Sequence, residues 1–254
     1  MSTLYLPNEL HDYINASPIY HITMPSKGPV KMNFGQVDYI CTQAPLENTC
    51  GDFWRMIVEN NVGIIVMLNK ITNDVTPKCA RYWPNRMHDR ILYQSGSMNF
   101  QVKWTGRNSQ PAYDERDFSV NRDGHGMRKH HVRQLAFVNW PDQGVPNTEE
   151  FNIMLNEYKE LKAVSKTGSL TLVHCKTGIG RSGTFIAADI LRRHLDEKCK
   201  VIDIPGVILQ LRRCRPGMIR SSTDTQMINR SPLQLIQTAH SIELIANIAA
   251  TNVL

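Results

Sequence analysis

The run Ser169-Leu170-Thr171-Leu172-Val173-His174, followed at once by Cys175-Lys176-Thr177-Gly178-Ile179-Gly180-Arg181-Ser182-Gly183, constrains this chain more than any other segment. A short apolar stretch of strand length ends in a turn holding two glycines, and helical spacing through Ile186, Ile190, Leu191 and Leu195 begins directly after it. Strand, tight loop and helix in direct succession require a sheet layered against helices. Five residues separate Cys175 from Arg181. Such a loop can curl so that successive backbone N–H groups point inward, and the following helix adds its positive end, which together cradle a phosphate-like anion.

A thiol in that cradle loses its proton easily, because helix N-termini and nearby cations lower a cysteine pKa from about 8.5 to roughly 3.5–7.5. Cys175 is therefore expected to be a thiolate nucleophile. The Arg181 guanidinium can grip two phosphoryl oxygens at once, Ser182 can offer its hydroxyl to the thiolate, and Lys176, Thr177, Gly178, Ile179 and Gly180 supply the anion-binding backbone. A single cysteine is ordinarily a small buried hydrophobe. Here the Cys-to-Arg spacing, the paired glycines and the Arg-Ser-Gly ending outweigh that reading. The turn lacks the Gly-Lys-Ser/Thr close of a nucleotide-binding P-loop.

Around this unit the pattern is mixed. A helix is expected near Asp52–Asn61, a buried strand over Gly63–Leu68, and alternating segments such as Phe100–Trp104 suggest an antiparallel meander. Asn147 can cap a helix that runs to about Val164, with Glu150 closing a capping box and Phe151, Met154, Leu155, Tyr158 and Leu161 on one face. A further helix starts at Pro205 and a last one covers Pro232–Ala249. The 254 residues show no repeat, low-complexity tract or Gly/Ser linker, so we expect a single α/β domain over 1–254, a twisted mixed sheet with helices on both faces.

Six cysteines without a CxxC pair argue against a metal cage or a disulfide framework, and a reducing, cytoplasmic setting is expected, with neither metal nor cofactor. The longest strongly apolar run is Val62–Leu68, and the first twenty residues have no basic start followed by an apolar stretch, so neither a membrane span nor a signal peptide is expected. The formal charge of +6 suits anionic partners. The densest basic cluster, Arg128-Lys129-His130-His131-Val132-Arg133, has no interleaved aromatics, and nucleic acid is not an expected partner.

The His-Cys-x5-Arg-Ser loop closely resembles that of the protein-tyrosine phosphatases, and further segments agree in order over about Asp12 to Gln226: Tyr39–Ile57, Lys78–Pro84, Trp140-Pro141-Asp142-Gln143-Gly144-Val145-Pro146 and Leu211–Met218. The resemblance implies that Asp142 is the general acid on a mobile loop, touching the bound phosphoryl group as well as donating the proton. A positioned acid contributes roughly 10²- to 10⁴-fold. It also implies that Lys78 holds that loop, that His174 supports the cysteine rather than acting as a base, and that phosphotyrosine-containing proteins are the partners. Three departures accompany it. Only eleven residues precede Asp12, so the segment that flanks the phosphotyrosine ring has no counterpart. Arg220-Ser221 stand where the family has the Gln-Thr that places the hydrolytic water, which leaves Gln226 as the expected substitute. Asp74 is the only carboxylate near the position of the family's arginine-orienting glutamate. Together they suggest a divergent copy, of the kind some viruses carry. The leading expectation is a protein-tyrosine phosphatase working through a cysteinyl-phosphate. The alternatives are a slow or inactive phosphotyrosine-binding module, and a phosphatase for RNA 5′ ends or phosphoserine/threonine.

Overall fold

A computed structural model describes residues 13–25, 28–71, 79–123, 129–141, 144–197, 199, 202–219 and 224–228. The strands are β1 (Ala16–Thr23), β2 (Lys31–Gln43), β3 (Val62–Met67), β4 (Arg90–Ser95), β5 (Met98–Ser109), β6 (Asp114–Arg122), β7 (His130–Ala136) and β8 (Leu170–Cys175). The helices are α1 (Cys50–Glu59), α2 (Thr148–Val164), α3 (Gly180–Asp196) and α4 (Ile204–Cys214). The eight strands form one sheet in the order β1-β2-β8-β3-β7-β6-β5-β4. β2, β8, β3 and β7 run parallel, while β1 and the β7-β6-β5-β4 meander pair antiparallel.

Parallel strands need both faces covered, and the central strands divide their side chains accordingly. In β3, Ile64 and Val66 join a core built with Phe151, Leu155 and Tyr158 of α2, Phe185 and Ile190 of α3, and Val207 and Leu211 of α4. Val62, Ile65 and Met67 face the other way, into a core with Phe53, Trp54 and Ile57 of α1 and with Tyr82 and Trp83. The period of two fixes the site as well: in β8, Cys175 falls on the α3 side, whereas His174 contacts Phe53 and Tyr82 on the α1 side. The mixed sheet with helices on both faces is thus present. Asn147 caps α2 by accepting from Glu149 N at 2.8 Å and Glu150 N at 3.2 Å. The Glu150 carboxylate receives Asn139 Nδ2 at 3.0 Å, tying the helix start to the segment that carries Trp140. Pro232–Ala249 lies outside the described residues.

In the basic cluster, the described residues are tied into the sheet. Arg133 pairs with Glu115 at 3.1 Å and Asp117 at 2.9 Å, and the His130 ring contacts Val62 O at 2.7 Å.

Candidate active site

Cys175 ends β8 directly beside Gln43 of β2 and is 3% exposed. The chain then turns through Lys176, Thr177, Gly178 and Ile179 into α3, whose first residue is Gly180. Lys176 and Thr177 expose their side chains, Gly178 is buried, and Ile179 and Gly180 are half-buried. The loop shape is set by its carbonyls. Lys176 O accepts from Ala44 N at 3.4 Å, and Thr177 O from Arg215 Nη2 at 3.2 Å. Gly178 O accepts from Arg215 Nε at 2.8 Å and from Cys41 Sγ at 3.2 Å. Ile179 O accepts from Gly183 N at 3.2 Å and Ile219 N at 3.1 Å. In a planar trans peptide the N–H points opposite to the C=O. With these carbonyls held outward, the N–H groups of Thr177, Gly178, Ile179 and Gly180 turn to the concave side.

Gly178 has φ +67°, and a Cβ there would lie 2.3 Å from Thr42 O, so glycine is required on both counts. Arg215, buried behind the loop, also donates to Ser17 Oγ at 3.2 Å and Asn15 Oδ1 at 2.9 Å. A buried guanidinium needs its donors satisfied. Here the acceptors come from the loop, from Ser17 of β1 and from Asn15 just before that strand.

Arg181 Nη1 donates to Leu68 O at 3.2 Å and Nη2 to Pro141 O at 3.0 Å, with the guanidinium 5.8 Å from the centre of the Trp140 ring. Trp140 is itself fixed, 5.7 Å edge-to-face from Phe151 and 6.2 Å from Phe137. The Trp-Pro segment therefore lies against the loop arginine. Asp142 and Gln143 fall outside the described residues, as do Asp74, Lys78 and Arg220-Ser221.

Ser182 is fully buried below the loop beside the Cys41 thiol, and its Oγ makes no hydrogen bond of ordinary geometry. Burial pushes the Cys41 thiol up to about 12, against the opposing pull of Arg215. Cys41 is thus a neutral donor to the loop. His174 is completely buried; burial lowers it to about 3, so the ring is neutral, and its Nε2 lies 2.8 Å from Tyr82 Oη. In the turn of helix at 224–228, Met227 and Ile228 enter the core, Gln226 is exposed, and the Asp224 carboxylate would come within 3.5 Å of a Cβ placed on Gly180. Among the described residues no cluster of histidine, cysteine and carboxylate groups could hold a metal ion.

A family description reading "Protein-tyrosine phosphatase" matches residues 3–233. The chain belongs to the protein-tyrosine phosphatase family. Human receptor-type tyrosine-protein phosphatase eta is 34% identical over 233 residues, covering 89% of this chain and 16% of the relative. The Gallus gallus eta protein is 35% identical over 232 residues, with 89% and 15% covered, and receptor-type F of Danio rerio is 34% identical over 229 residues, with 89% and 11%. The chain thus spans no more than 16% of the length of these relatives. Among the described residues, no helix is long and apolar enough to cross a membrane.

Within this tyrosine-phosphatase domain, sequence reasoning picked out the loop residues but missed what shapes the loop. Arg215 lies inside Leu211–Met218 and Cys41 inside Tyr39–Ile57, two of the segments that resemble the family, and neither carries a role there. The signal for Arg215 was faint: an arginine just before Pro216-Gly217, beyond the end of an amphipathic helix. Exposed Tyr13 lines a cavity of about 180 Å³ together with Asn15, Thr42, Gln43 and Phe53, next to the strand end that pairs with Cys175.

Proposed function

We propose that this domain hydrolyses phosphotyrosine in proteins through a cysteinyl-phosphate. The observation that carries the reading is the loop whose carbonyls are all engaged on its outer side, leaving four successive N–H groups for the three non-bridging oxygens of a phosphoryl group. The Cys175 thiolate attacks phosphorus, and the phosphorus–oxygen bond to the tyrosine breaks. Asp142 gives its proton to the departing phenolate. Water then attacks the phosphorus with Asp142 taking its proton, the sulfur–phosphorus bond breaks, and inorganic phosphate leaves the regenerated thiolate.

In this scheme Arg181 follows two phosphoryl oxygens through both steps. Its bonds to Leu68 O and Pro141 O support the reading, because the same guanidinium then bridges the phosphate cradle and the acid-bearing segment. Ser182 lies under the loop for the departing thiolate, the backbone of Lys176 to Gly180 binds the anion, and Gln226 is the expected water-placing side chain. Phosphate release from a phosphotyrosine peptide by the purified chain tests the proposal. Cys175→Ser is expected to abolish release while retaining the peptide. Equal rates for the two proteins would end the proposal. A burst of one equivalent followed by almost no turnover would favour a binding module, and preference for triphosphorylated RNA would favour the RNA alternative.

A further inference from the structure

Cys175 closes β8 at one end of the sheet. At the other end, where β3 and β8 begin and α1 and α2 stop, a cavity of about 890 Å³ opens that the chemistry above does not use. β8 is six residues long, so this cavity lies about 20 Å from the loop. Its volume is in the range that holds a ligand.

The floor is apolar, built from Val58 at the end of α1, Ile64 of β3, and Leu161 and Val164 of α2, with Val164 79% exposed. The walls are basic. Arg122, Lys129, Arg133 and Lys166 line them with His130 and His131, against the two carboxylates of Glu59 and Asp117. Both carboxylates are already engaged, since Asp117 holds Arg133 at 2.9 Å and Glu59 holds Arg55 at 3.1 Å. Among the described residues, no carboxylate pairs with Arg122, Lys129, His131 or Lys166. The Arg122 Nε is moreover buried without a hydrogen-bond partner. Lys166, two residues past α2, also answers the negative end of that helix. Arg122, the last residue of β6, Lys129, just before β7, and His131 within β7 come from strands instead. Cations of one sign around a concave surface attract an anionic ligand.

Their arrangement selects among anions. Leu135 of β7 enters the core beneath α2 and α3, so the period of two turns Arg133 and His131 to that face, and Lys129 stands one step further along. Neighbours in such a row are about 7 Å apart, which is also the spacing of alternate side chains in an extended polypeptide. Phe118, the sole Phe, Tyr or Trp among the described lining residues, is 1% exposed, so no ring is offered for base stacking. A concave cleft also does not match a flat membrane surface.

We propose that this cavity is a docking site for an extended acidic segment of a protein partner. Carboxylates of the segment meet Arg122, Lys129, His131 and Lys166, and its hydrocarbon parts lie on Ile64, Leu161 and Val164. Resting on the reading of the domain as a phosphatase of phosphotyrosine proteins, the partner is a substrate: its acidic segment, held here, raises the effective concentration of its phosphotyrosine at Cys175. Docking of this kind lowers KM and leaves kcat unchanged.

Fluorescence anisotropy of a labelled peptide of alternating glutamate and alanine, free of phosphotyrosine, tests the site on the whole chain without catalysis. Saturable binding that weakens as salt is raised is expected, with none for the same peptide carrying glutamine in place of glutamate. Lys129→Glu and Lys166→Glu, both at exposed positions, are each expected to weaken binding about tenfold. Phosphate release from a short phosphotyrosine peptide should stay as in the wild type. Binding unchanged in the double variant, or equal binding of the glutamine peptide, would overturn the proposal. So would displacement of the peptide by lower concentrations of single-stranded RNA or of phosphatidylserine vesicles, which would assign the cavity to those instead. Joining the acidic stretch to the phosphotyrosine peptide by a Gly/Ser linker is expected to lower KM in the wild type and not in the double variant; an equal KM in both would overturn the substrate as the partner. If instead Cys175→Ser released phosphate like the wild type, the phosphatase reading would fall while the peptide binding stood.

Discussion

Arg215 shows how much one side chain can organise. Its guanidinium meets Thr177 O and Gly178 O on one side and Ser17 Oγ and Asn15 Oδ1 on the other. Lysine would keep the charge but replace a planar fork by a single nitrogen. Arg215→Lys is therefore expected to loosen the loop carbonyls and lower phosphate release about 10²-fold, the scale of an ångström-sized misplacement. Steady-state rates on a phosphotyrosine peptide would check this, and a rate within twofold of wild type would contradict it. Cys175 and Arg181 were legible in the sequence because their geometry is a spacing along the chain. Arg215 was not, because its bond to Asn15 joins residues 200 apart.

At the level of elements, α2 sets the height of the Trp140 segment. Its start is capped by Asn147, and Glu150 in its first turn holds Asn139. Asn147→Ala leaves two helix N–H groups without their side-chain acceptor and is expected to lower stability by about 1 kcal/mol. Urea unfolding would measure it, and a change below about 0.3 kcal/mol would show that the cap is dispensable. The helix was readable because the capping residue and the apolar spacing are both local. Glu150 was read only as a capping-box partner, while its bond to Asn139 depends on where β7 delivers the following chain. Likewise α1 and β4 approach so closely that a Cβ on Gly51 would fall 1.8 Å from Gln94 O, a contact no local pattern announces.

For the molecule as a whole, two apolar cores share one sheet, and ionisable groups buried in them tie stability to pH. Burial lowers His174 to about 3 and also lowers His194, while Asp38 and Asp114 are lowered by their arginine and hydrogen-bond partners against an opposing effect of burial. An unfolded histidine takes up a proton below about 6.5, whereas folded His174 does so only near 3. Across that window the unfolded state binds more protons, so stability is lost as the pH is lowered, by up to about 1.4 kcal/mol per unit for His174 alone. The aspartates extend the loss in the same direction at lower pH. Thermal midpoints are expected to drop between pH 7 and pH 5, with a shallower drop in His174→Asn; a flat profile would refute the assignment. The mixed sheet was foreseeable from the alternation of strand and helix patterns. The strand order was not, because β8 inserts between β2 and β3 across more than a hundred intervening residues.

That insertion, with the Arg215 clamp behind it, bears on how the protein comes into being. A chain made from its N-terminus presents Asn15, Thr42 and β3 early, yet the set of donors on the loop that surrounds the thiol is complete only once Arg215 and Ile219 reach its carbonyls. Contacts so distant in sequence form late. A nascent chain halted anywhere before these residues has an unorganised cysteine and no anion cradle, so reactivity arrives only with the last stretch of the fold.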